Sequence, residues 1–75
     1  MFTISNEQKK MILESAKTGA EMEIYQMLVM LNHDPENYDL TEILEFEDSI
    51  EPSTEHRLYT AYTKFKMLTD KIALL

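Results

Sequence analysis

The sequence predicts an all-α fold, a helical hairpin of two long helices with a short acidic helix in the connection, and three observations carry that prediction. Turn-forming residues are scarce, with one Gly and two Pro in 75 residues, so β architectures that rely on tight Gly-rich hairpins are disfavoured. Six Met accompany abundant Leu, Glu and Lys, all good helix formers. Apolar residues also recur at steps of three and four through both ends of the chain, the spacing of one helical face. The expected architecture is a small three-helix bundle forming a single domain over residues 1–75.

A domain of this size buries only about 60% of the surface its unfolded chain exposes. Such folds rely on a staple, on idealised packing or on a second copy. The chain has no cysteine, which removes disulfides and thiolate metal sites together. Completion of the bundle by oligomerisation is therefore part of the expectation.

The first helix opens at Ser5-Asn6-Glu7-Gln8, a capping-box pattern in which Ser5 and Gln8 satisfy each other's backbone N–H groups. Its apolar stripe then runs through Ile12, Leu13, Ala16, Ala20, Ile24, Met27, Leu28 and Leu31. The stripe passes Gly19 without losing phase, which favours one continuous helix. The competing arrangement breaks at Gly19, because Thr18 to Glu21 also has the form of a capping box and an interior Gly costs about 1 kcal/mol relative to Ala. Met11, Met22, Tyr25 and Val29 lie on the opposite side, so this helix calls for burial on more than one face.

Asn32-His33-Asp34-Pro35-Glu36-Asn37 ends the helix, since the residue before Pro is pushed out of the α region and Asn tolerates the terminating conformation. Asp39 is the expected N-cap of a second helix, with Leu40, Ile43, Leu44, Phe46 and Ile50 on one broad apolar face. Glu47 falls inside that face, an anomaly for an α-helix. Glu51-Pro52-Ser53-Thr54 forms the next turn. A third helix is expected from about Thr54 to the last residues, with Leu58, Ala61, Tyr62, Phe65, Leu68, Thr69, Ile72 and Leu75 inward.

Charge is segregated along the chain. Residues 1–20 carry a net charge of +1, residues 57–75 carry +3, and residues 21–56 hold eleven acids and no Lys or Arg. This balance disfavours direct binding to nucleic acid or an anionic membrane, which requires a clustered basic surface. A protein partner with a basic surface is the expected counterpart. Glu36, Asp39, Glu42, Glu45, Asp48 and Glu51 recur every three residues and are the candidate partner-binding surface. On an α-helix of 3.6 residues per turn this spacing winds the charge around the element and leaves no single acidic face. The bland reading beside the recognition reading is a solvated surface that keeps a Met-rich protein in solution.

Glu7, Glu14 and Glu21 recur every seven residues, as do Arg57, Lys64 and Lys71. An antiparallel arrangement would pair Glu7 with Lys71, Glu14 with Lys64 and Glu21 with Arg57. The Glu stripe, however, borders the Met11, Met22, Tyr25, Val29 face and not the flank of the main stripe that an antiparallel partner needs. The pairing therefore calls for the third helix to pack on that second face or to come from another chain. Outward apolar residues mark the expected oligomer interface, namely Met11, Met22, Tyr25 and Val29 on the first helix with Tyr59 and Met67 on the third.

No catalytic, cofactor or metal site is expected. His33 and His56 stand beside Asp34 and Glu55, but each falls at a helix boundary, where a solvated or capping role is ordinary. The stretch from Asp34 to Glu45 has the length of a calcium loop, yet Asp39 occupies the position that needs Gly. No phosphate loop or nucleophile motif is present. The longest near-apolar run, Ile24 to Leu31, is eight residues, against the roughly 20 of a membrane span. With no signal-peptide pattern at Met1 to Lys10, a soluble cytoplasmic protein is expected.

The expected function is that of a small non-enzymatic acidic binding protein, a regulator or inhibitor of a host protein of the kind phages and mobile elements carry. Three further readings accompany it. They are a nucleic-acid mimic that blocks a DNA- or RNA-binding enzyme, an oligomer that sequesters a nucleotide-like ligand, and a structural subunit of a larger assembly.

Overall fold

The computed structural model describes residues 2–75. Helix α1 spans Asn6–Met30, a 3-10 helix spans Leu40–Phe46, and helix α2 spans Thr54–Ala73. The described residues contain no strand. α1 and α2 pack against each other as the hairpin, and the 3-10 helix closes the connected end, giving an elongated body of 43 × 25 × 17 Å.

The capping box forms as the sequence implies. The Ser5 N–H donates to Gln8 Oε1 at 2.9 Å and the Gln8 N–H donates to Ser5 Oγ at 3.1 Å. α1 then continues unbroken through Gly19, so the favoured continuous helix holds and the break does not occur. Its C-terminus is a Schellman arrangement. Asn32 takes the left-handed conformation at φ 65°, the His33 N–H donates to the Leu28 carbonyl, and the Asn32 N–H donates to the Val29 carbonyl. Asp34 then organises a tight turn, accepting from the Glu36 N–H at 3.1 Å and the Asn37 side-chain amide at 2.6 Å.

The core gathers at the elbow end. Leu28 from α1, Ile43 from the 3-10 helix and Leu58 from α2 are fully buried, joined by Ile24, Met27, Ala61 and Tyr62. Leu31, Tyr38, Leu40, Phe46, Tyr59 and Phe65 pack around them. Towards the open end Ala20 and Leu68 are buried between the two helices, but no third element covers that seam. Ile12 and Leu75, both assigned to inward stripes, are about half exposed there.

The middle element departs from expectation in its pitch. A 3-10 helix has three residues per turn, so residues three apart eclipse each other. Leu40, Ile43 and Phe46 therefore form the inward row. Glu47 falls on a different row, with Thr41 and Leu44, which removes its apparent place in an apolar face. Ile50, expected on that face, lies beyond the helix and is 80% exposed. α2 starts where the sequence indicated, with Ser53 Oγ accepting from the His56 N–H at 3.1 Å.

The seven-residue charge register does not form within the chain. α2 packs on the main apolar stripe of α1, and Arg57 approaches Glu23 at 3.9 Å instead of Glu21. Lys17 lies 5.4 Å from the Phe65 ring centroid, in the same antiparallel sense. The physical reason is the one visible on the helical wheel. Glu7, Glu14 and Glu21 border the outer face of α1, away from the basic flank of α2.

Candidate functional site

The same change of pitch rearranges the acidic surface. Asp39 caps the 3-10 helix, and Glu42 and Glu45 follow at intervals of three. At three residues per turn Glu42 and Glu45 fall in one row, about 6 Å apart along the axis at 2.0 Å rise per residue, while Asp39 precedes the helix with extended backbone. The expectation that the charge winds around the element is thus overturned for this segment. It assumed α-helical pitch.

Asp39 is fixed by Thr41. Its Oδ1 accepts from the Thr41 hydroxyl at 2.7 Å and from the Thr41 backbone N–H at 3.0 Å. The Thr41 hydroxyl, and after it the backbone N–H, hold the Asp39 carboxyl below its ordinary pKa.

Tyr38 immediately precedes the capping residue Asp39. Burial pushes its phenol above the usual value, and the carboxylates of Glu42, Glu45 and Asp39 push it further. Tyr38 also packs on the core and meets the His33 ring at 4.8 Å between centroids, tilted by 46°.

Glu36, Asp48 and Glu51, the other members of the candidate surface, are exposed in the flanking turns. Glu36 belongs to the turn organised by Asp34, and Asp48 follows the end of the 3-10 helix. All six carboxylates are solvent-accessible, and only Glu42 and Glu45 lie on the 3-10 helix that Asp39 caps. Leu44, about half exposed, adds an apolar group to the next row of the same element.

The residues assigned to an oligomer interface separate into two groups. Met11, Met22, Tyr25, Val29 and Met67 are between 48% and 72% exposed. Tyr59 is half-buried and packs against the core, so it does not project outward as expected. Sequence reasoning missed Met30, which is 61% exposed at the end of α1. Its position on the flank opposite Glu21 was readable from the wheel.

An open groove of about 300 Å³ lies where α1, the connection and α2 meet, lined by Ile24, Tyr25, Leu28, Pro35, Leu40 and Phe65 with Glu21 at its edge. Its lining is apolar apart from Glu21 and the Tyr25 hydroxyl, and it holds no nucleophile with an adjacent base. His33 is exposed, and His56 is partly buried with Nδ1 lacking a hydrogen-bond partner. His33 lies in the connection after α1, whereas His56 belongs to the first turn of α2. Among the described residues no group of three or more His, Asp or Glu could hold a metal ion, and no helix is long and apolar enough to cross a membrane.

No protein-family model matches the chain, and no curated protein or solved structure shows significant similarity to it.

Proposed function

We propose that this protein is a non-enzymatic acidic binding protein that docks its elbow on a basic surface of a protein partner and thereby regulates or inhibits that partner. One observation carries the reading. Glu42 and Glu45 lie one 3-10 turn apart on an exposed helix capped by Asp39, whose carboxylate is held by Thr41, in a segment of 36 residues without Lys or Arg. An aligned row of carboxylates with no intervening cation produces a directional field that steers and orients a basic partner. The host regulator or inhibitor role, in the manner of phage and mobile-element proteins, is part of this proposal, as is a cytoplasmic setting. Self-association belongs to the same reading and is supported by the exposure of Met11, Met22, Tyr25 and Val29.

Capture from host lysate tests the elbow, comparing the native chain with a variant carrying Glu42→Lys, Glu45→Lys and Asp48→Lys. A protein retained by the native chain, released by high salt and lost by the variant is the expected result. A protein retained equally by both would remove the elbow from recognition.

The regular line of charge also favours the narrower reading of a nucleic-acid mimic. In that case duplex DNA or RNA displaces the captured partner, and partners without nucleic-acid affinity are not retained.

A further inference from the structure

The outer face of α1 has a spacing that the intrachain fold leaves unused. Met11, Ser15, Thr18, Met22, Tyr25 and Val29 alternate steps of four and three, the seam of a two-stranded coiled coil. All six are exposed, and their large members retain 50–72% of their surface. The Thr18 hydroxyl already donates to the Glu14 carbonyl at 3.0 Å, so covering Thr18 strands no donor. Gly19 beside the seam has nothing within 4 Å of where a Cβ would stand.

Charge selects the orientation of anything that pairs here with a second copy. The elbow end holds the acids of residues 21–56, whereas towards the open end of the antiparallel hairpin Lys9, Lys10, Lys17, Lys64, Lys66 and Lys71 outnumber Glu7, Glu14 and Asp70. A parallel pair would set two acidic elbows side by side. An antiparallel pair sets each elbow beside the lysine-rich end of the other copy, and its twofold axis closes the assembly.

We propose that the outer seam of α1 is a homodimer interface in which two copies pair antiparallel about a twofold axis near Ala20. The register places Met11 against Val29 of the other copy, Thr18 against Met22, and Tyr25 against Ser15. Each large side chain except the terminal pair meets a small one. The register uses only helical residues of α1. It rests on the self-association part of the proposed function and gives it a geometry, independent of whether the elbow binds a basic partner. Glu21 of the two copies flanks the axis on the same side, so Glu21→Gln tightens the dimer several-fold.

The test combines mass with cross-linking on the full chain, which has no native cysteine. Sedimentation equilibrium should give a dimer, and Met22→Glu should raise the dissociation constant at least tenfold while circular dichroism shows unchanged helix content. Met11→Cys and Val29→Cys chains, mixed and mildly oxidised, should give the mixed disulfide, with little product from either alone. A monomer at every concentration would overturn the proposal, as would ready self-cross-linking of Met11→Cys. Capture by the charge-reversed elbow variant reads the docking role separately, so either claim can fail alone.

Discussion

Asn32 shows how much one residue can decide. Its left-handed backbone, φ 65°, ends α1 and turns the chain towards the elbow, a conformation that costs a residue with a Cβ about 1–2 kcal/mol and costs Gly least. Asn32→Gly should therefore leave stability unchanged or raise it, and Asn32→Ala should lower it by about 1 kcal/mol, measured by urea unfolding. Tyr38 is the second deciding residue. Its folded-state pKa is raised by burial and then by Glu42, Glu45 and Asp39, so its contribution to stability is complete below the ordinary value near 10. That contribution is lost as pH rises through the folded value. The phenolate difference spectrum between the native chain and Tyr38→Phe should show a midpoint above 10. Glu42→Gln with Glu45→Gln should move it down, and an unmoved midpoint would take those carboxylates away from the phenol.

The elements differ in how much of them the sequence discloses. α1 and α2 were legible almost to the residue, because Ser5 with Gln8 and Ser53 with Thr54 mark their starts and the apolar steps keep α-helical phase. The connecting element was legible as a helix with Asp39 as its cap, but its pitch was not. A seven-residue segment is too short for apolar spacing to separate 3.0 from 3.6 residues per turn. The anomaly of Glu47 was the available signal, and the three-residue repeat of the acids was the other. The charge register failed for a different reason, since equal spacing on two helices says nothing about which flanks meet. The row assignment predicts unequal costs for two isoleucines treated alike by the α-helical wheel. Ile43→Ala, at a fully buried position, should cost about 2–5 kcal/mol, whereas Ile50→Ala should stay within about 0.5 kcal/mol. Thermal unfolding of the two variants reads the difference.

The whole molecule is a rod with a chemically distinct end. The three-layer part of its core, the acidic 3-10 helix and the apolar groove all lie at the elbow, whereas the open end is a two-helix seam carrying most of the lysines. The region with the fully buried core residues is also the one that carries the acids of residues 21–56. The composition alone gave a net charge of −7, which suits solubility as well as recognition. The 3-10 pitch aligns Glu42 with Glu45. The most direct measurement is the salt dependence of affinity between the chain and its captured partner, for the native protein and for Glu42→Gln with Glu45→Gln. Affinity that falls steeply with salt, and falls less steeply for the variant, is the predicted result. Equal affinities with no salt dependence would contradict the elbow as the recognition surface.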